Sequence, residues 1–86
     1  MNFIETSRFR KAYKSLPQEA KERVKDTLIK LSSDIRYPSL QAKKIKGTKD
    51  IWEARVSLDY RLTFEIFKNY IVLRHVGHHD PTLKHP

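Results

Sequence analysis

The sequence predicts an α+β domain, with an N-terminal helical hairpin packed on one face of a small, mainly antiparallel β-sheet. Three observations predict it. Apolar residues recur at helical spacing in the first half, and runs rich in branched and aromatic residues follow in the second. The length of 86 residues suits one domain spanning 1–86. Helices first and strands after is the order of an α+β layout, in which the hairpin covers one sheet face and leaves the other to solvent or a partner.

The chain opens on the short apolar pair Phe3-Ile4. Thr6 or Ser7 then suits the N-cap of a helix bearing Phe9, Tyr13 and Leu16. Pro17 interrupts it and fits the first turn of a second helix, with Ser15 and Gln18 at capping-box spacing and Ala20, Val24, Leu28 and Leu31 as its apolar stripe. Ser32-Ser33-Asp34 ends that helix, and Tyr37-Pro38-Ser39 reads as a loop. From Leu40 the period changes. Ile51–Val56, Tyr60–Phe67 and Tyr70–Val76 read as strands, with turns at Gly47-Thr48, Leu58-Asp59 and Lys68-Asn69.

Eighteen Lys and Arg against ten Asp and Glu give a net charge of +8, while 38% of residues are hydrophobic. That apolar content is too high for a disordered basic tail, and the charge points to polyanionic partners, nucleic acid or an acidic protein. The absence of cysteine excludes a disulfide framework, a zinc-thiolate site and thiol catalysis. No run approaches the ~18 apolar residues of a membrane span, and Met1-Asn2-Phe3-Ile4-Glu5-Thr6 lacks the order of a signal peptide. The expected compartment is the cytoplasm, with no membrane, metal or cofactor.

Strand alternation allows the register to be tested. A two-residue turn at Lys68-Asn69 pairs Phe64 with Leu73, Leu62 with His75 and Thr63 with Arg74, which turns His75 toward the core. A two-residue turn at Leu58-Asp59 would bury Arg55 beside Leu62. A three-residue connection, Ser57-Leu58-Asp59, instead pairs Arg55 with Arg61, Ala54 with Leu62 and Trp52 with Phe64. Glu53, Arg55, Arg61, Thr63 and Arg74 then share the open face. Arg55 opposite Arg61 repels unless an anion lies between them or Glu53 and Glu65 neutralise both. Between Arg36 and Lys49 the sequence holds Arg36, Lys43, Lys44, Lys46 and Lys49 and no acid. Such a run suits a phosphate backbone, and equally a lysine-rich edge strand protected against aggregation.

All four histidines, His75, His78, His79 and His85, lie near the end of the sequence. Adjacent histidines seldom point at one metal, whereas His79 beside Asp80 has the composition of an oriented acid or base. Surface or helix-capping histidines would show the same pattern.

The segments Leu40–Gly47, Ile51–Val56, Asp59–Phe64 and Ile71–Asp80, in this order and spacing, resemble the RelE/ParE superfamily of toxins from bacterial and archaeal toxin-antitoxin pairs. Phe3–Thr6 and the Leu16-Pro17 break fit as well, so the resemblance covers nearly the whole chain. It implies a ribosome-dependent mRNA endonuclease, a metal-independent mRNA interferase that inhibits translation by activating a ribose 2′-hydroxyl against the adjacent phosphate. It also implies a cognate acidic antitoxin, and mRNA in the ribosomal A site as substrate. Such chemistry needs a cation on the phosphate, a base and an acid. Arg61 matches the family's phosphate-contacting arginine in the Tyr-Arg-Leu motif. Arg55 falls, with a one-residue gap, where members carry a basic residue, and His79 occupies the position of a catalytic histidine. Glu53 departs from the pattern, being acidic where the RelE-type enzyme has lysine, so Glu53 and His79 compete for the role of base. His85 lies near the position of a C-terminal aromatic. Lys43, Lys44, Lys46 and Arg74 are the expected RNA contacts. Two alternatives share the fold: a ParE-like inhibitor of DNA gyrase, and an inactive module that binds antitoxin or nucleic acid.

Overall fold

A computed structural model describes residues 2–86. Its elements are β1 (Asn2–Glu5), α1 (Ser7–Lys14), α2 (Gln18–Ser33), a 3-10 turn at Pro38–Leu40, β2 (Lys43–Lys44), β3 (Trp52–Arg55), β4 (Tyr60–Phe67), β5 (Tyr70–His78) and α3 (His79–Lys84). The strands form one sheet in the order β1-β5-β4-β3-β2, antiparallel except where β1 runs parallel to β5. The α+β class and the N-terminal helical hairpin agree with the sequence reading. The apolar start Phe3-Ile4 proves to be an edge strand.

Thr6 is the N-cap of α1, its Oγ1 accepting from the N–H of Phe9 at 3.1 Å and donating to the carbonyl of Leu73 at 2.8 Å. One threonine thus caps the helix and ties it to β5. Pro17 stands at the N-cap of α2 without a side-chain cap. The expected capping box does not form, because the Ser15 hydroxyl donates back to Lys11 O at 3.3 Å. Phe9, Val24 and Leu31 of the helices pack against Ala54, Leu62, Phe64, Ile71, Leu73 and Val76 of the sheet, all buried. Burial on this scale, at about 25 cal/mol per Å² of apolar surface, is the main force holding the hairpin to the sheet.

The β3–β4 register agrees with the sequence reading: Trp52 faces Phe64, Ala54 faces Leu62 and Arg55 faces Arg61. The β4–β5 register does not. Phe64 faces Leu73 as expected, but Thr63 faces His75 and Leu62 faces Val76. Arg74 is the extra residue of a β-bulge, which lets Arg74 and His75 both avoid the core while Val76 enters it. The face opposite the hairpin is also less open than expected. α3 folds back onto β4 and β5 there, and its Thr82 is fully buried. Gly77, which pairs with Arg61, makes room for it. A Cβ at position 77 would lie 2.8 Å from Thr82 Oγ1.

Gly77→Ala is therefore expected to destabilise the fold by about 1–3 kcal/mol, the usual cost of overpacking a filled site. Thr82→Ala in the same chain should restore part of the loss. Chemical denaturation of the single and double variants checks this, and a Gly77→Ala chain as stable as the parent would show that α3 does not sit where described.

Candidate active site

The outer sheet face, away from the α1–α2 hairpin, carries one cross-strand row of Lys43, Glu53, Thr63 and His75, and a second of Arg55, Arg61 and Gly77. Four of the five residues expected on the open face, Glu53, Arg55, Arg61 and Thr63, therefore do come together in these rows. Their side chains are engaged in ways that spacing could not reveal.

Arg61 is largely buried, its side chain 13% exposed. Nη1 donates to Ser57 O at 2.7 Å, Tyr60 O at 3.0 Å and Leu58 O at 3.4 Å. Its Nε lies 4.0 Å from Glu53 Oε1, and Glu53 is itself buried. Of the expected neutralisation of both arginines by Glu53 and Glu65, one part is present: Glu53 lies beside Arg61, while Glu65 pairs with Arg74 instead. Arg61 gathers the carbonyls of the β3–β4 connection, and among the described residues its Nη2 has no hydrogen-bond partner. Arg55, half-buried at the end of β3, also borders a groove of about 530 Å³ on the α2 side, with Pro17, Glu19, Arg23, Leu58 and Tyr60. The two arginines are neighbours in register but serve different surroundings.

Arg74 Nε donates to the backbone oxygen of Pro86 at 3.2 Å, and Nη1 lies 3.5 Å from Glu65 Oε1. Thr63, fully buried, donates to the same Pro86 oxygen at 3.0 Å. Arg8 Nη2 donates to His85 O. The segment after β5 thus lies across the row that the sequence reading left open.

His75, expected in the core beside Leu62, is half-buried on the outer face. Burial lowers its pKa from the usual 6.5, and the charge of Arg8 adds to the effect. Its Nδ1 and Thr82 Oγ1 are buried without hydrogen-bond partners among the described residues. Two polar residues standing between Leu73 and Val76 are the sequence signal of the bulge that puts it there.

His79 leaves the sheet at the end of β5. Its N–H donates to Asp59 O at 2.8 Å, tying the exit to the connection that Arg61 holds. Its ring Nδ1 lies 2.8 Å from Asp80 Oδ1, and the side chain is 45% exposed. His78 stacks on Tyr60, with ring centroids 4.7 Å apart. Tyr60, which the sequence reading did not single out as a site residue, therefore sits between the Arg61 turn and the histidines. Its place beside Arg61 in the Tyr-Arg-Leu motif was the available signal.

The basic run is trimmed by acids just outside it. Arg36 meets Asp34 at 3.4 Å and Lys44 meets Asp50 at 3.3 Å, while the Lys44 ammonium also sits 5.8 Å from the centre of the Trp52 ring. Lys43, Lys46 and Lys49 remain exposed along the β2 margin and the turn after it.

No family model and no curated protein sequence matches the chain. Solved structures do. The RelB-RelE antitoxin-toxin complex of Methanococcus jannaschii aligns at a TM-score of 0.73 with 25% identity, over 87% of this chain and 88% of that one. The fold is that of the RelE/ParE toxins. The YoeB/ParE toxin from Agrobacterium tumefaciens aligns at a TM-score of 0.79 with 13% identity, covering 92% of this chain and 99% of that one. The intact RelBE toxin-antitoxin complex of Escherichia coli aligns at 0.73 with 20% identity, over 92% and 96%. The RelE/ParE fold is thus kept across nearly the full length at low identity.

Two outcomes are expected from this geometry. Arg61→Ala should lower stability by at least about 1.5–3 kcal/mol, the scale of hydrogen bonds to a charged group, and Glu53→Gln should recover part of it by removing the stranded carboxylate. A thermal melt of Arg61→Ala that overlays the parent would refute the clamp. The second concerns pH. The unfolded chain holds a proton on His75 below about 6.5 that the folded chain resists, so the stability contribution is complete above that value. It is lost as the pH falls from there toward the lowered folded value. Melting temperature should decline over that interval, and His75→Gln should flatten the slope; an unchanged slope would remove His75 as its source.

Proposed function

We propose that this chain is the toxin of a toxin-antitoxin pair and that it cleaves mRNA in the A site of the translating ribosome. The observation that carries the reading is His79, exposed at the exit of β5 with its ring held by Asp80, on a RelE/ParE fold. The solved relatives in complexes with RelB antitoxin support a cognate antitoxin, and the +8 charge supports an acidic one. The proposed action on ribosomes implies a cytoplasmic protein; no helix among the described residues is long and apolar enough to cross a membrane.

Cleavage by a neighbouring 2′-hydroxyl requires a proton acceptor for that hydroxyl, positive charge on the phosphate and a proton for the departing 5′-oxygen. Glu53 and His79 are the two candidates for the acceptor. Glu53 is buried behind Arg61, whereas His79 can be approached from solvent, which supports His79 as the base and Glu53 as the partner that holds Arg61. Arg61, through the free Nη2, and Arg55 across the strand then supply charge at the phosphate. Lys43, Lys44 and Lys46 follow the RNA backbone along the β2 margin. Arg74 contributes only after Pro86 gives up its hydrogen bond.

The test is cleavage of mRNA on programmed ribosomes. The parent should cut and leave a cyclic phosphate, and His79→Gln should lose about 10²-fold or more in rate while keeping its melting temperature. Growth arrest by the chain alone, relieved by an acidic partner, should accompany it. If the parent leaves mRNA whole but blocks supercoiling by DNA gyrase, the ParE-like reading replaces this one. A folded chain that does neither is a binding module.

A further inference from the structure

The short contact between His79 and Asp80 carries more than an orientation. A neutral imidazole has one ring proton, and which nitrogen holds it decides which nitrogen can accept another. Asp80 is exposed, and its carboxyl is held below the usual 3.8, first by the hydrogen bond from His79 and then by the charge of that ring. An ionised carboxylate only accepts, so the 2.8 Å contact is an Nδ1–H donating to Oδ1. The backbone of the same residue is fixed separately, through its N–H to Asp59 O.

We propose that Asp80 is a positioning residue which holds His79 as the Nδ1–H tautomer, leaving the Nε2 lone pair as the acceptor of the attacking hydroxyl's proton. The proposal rests on the nuclease reading for its chemical consequence, and on the hydrogen bond alone for the tautomer. In the step it serves, Nε2 takes the proton of the 2′-hydroxyl, the 2′-oxygen bonds to phosphorus and the bond from phosphorus to the 5′-oxygen breaks. The 5′-oxygen takes a proton from water. His79 is then a cation, and the Asp80 carboxylate beside it offsets the new charge.

The experiment reads the ring nitrogens of His79 by 15N NMR in the full chain at neutral pH, without RNA, beside cleavage on ribosomes. The parent should show the proton on Nδ1. Asp80→Ala should spread it over both nitrogens and slow cleavage about 10-fold, part of the ~10²- to 10⁴-fold that acid–base catalysis contributes. Asp80→Asn keeps an oxygen acceptor without charge, so it should retain the tautomer and cleave at a rate between parent and Asp80→Ala. It also guards against simple loss of α3, since its shape is that of the parent. An unaltered tautomer in Asp80→Ala overturns the proposal. So does parental cleavage by both variants, or Asp80→Asn cleaving more slowly than Asp80→Ala. If the tautomer responds as expected but the parent cuts no RNA, the nuclease reading falls and the positioning of His79 stands.

Discussion

The constraint on which the site depends is that β4 is covered on both faces. Leu62 and Phe64 point into the helical hairpin, and Thr63, between them, points the other way and is no less buried. An antiparallel strand commonly leaves its second face in water, and a buried hydroxyl there needs a partner. Pro86 supplies it. Because Thr63 is sealed, its cross-strand neighbours Glu53 and His75 lie in a partly dry layer, where charge must be matched locally.

That layer explains how a chain of net charge +8 can hold arginines at cross-strand distance. Arg61 meets Glu53 and the carbonyls of the β3–β4 connection, Arg74 meets Glu65 and Pro86 oxygen, and Arg8 reaches His85 oxygen. The Ser57, Leu58, Tyr60 and His85 partners are neutral carbonyls, which satisfy the donors without cancelling the charge. Glu53 and Glu65 lie beside Arg61 and Arg74, whereas Arg8 meets a neutral carbonyl. Exposed Lys43 on β2, with Lys46 and Lys49 beyond that strand, adds positive charge at this margin. Such a field suits steering of a polyanion, while the fixed arginines suit holding the turn that carries Tyr60 and meets His79.

Much of this fold was legible in the sequence, because the features that set it are local. Thr6 and Pro17 punctuate the helices, and avoiding a buried Arg55 was enough to find the three-residue connection and the Arg55–Arg61 register. The errors arise where a contact is distant in sequence. The β1–β5 pairing joins Phe3 to Ile71, a parallel match that no turn announces. The bulge at Arg74 breaks strict alternation, and reading through it sent His75 into the core. The folding back of α3 depends on Gly77, whose missing side chain is conspicuous only when Thr82 is seen above it. The placement of Arg61 followed from alternation, but its engagement did not, since backbone carbonyls of a turn leave no mark in composition.

Under the nuclease reading, burial and reach favour one of the two candidate bases. A general base must come within about 2.6–3.2 Å of the proton it removes, directly or through one water. Glu53 lies in the row between Lys43 and Thr63, closed in by the sheet and by the Arg61 guanidinium; bringing a ribose to it would mean withdrawing the group that offsets its charge. His79 stands outside the last strand on a segment pinned by its own backbone to Asp59, with one ring nitrogen committed to Asp80 and the side chain 45% exposed. Arg61 and His79 are thus coupled through one connection, Ser57 to Tyr60, which Arg61 grips by its carbonyls and His79 by the Asp59 oxygen. Under the nuclease reading, the acidic residue that departs from the RelE pattern fixes the geometry of that connection, and the proton moves at the histidine.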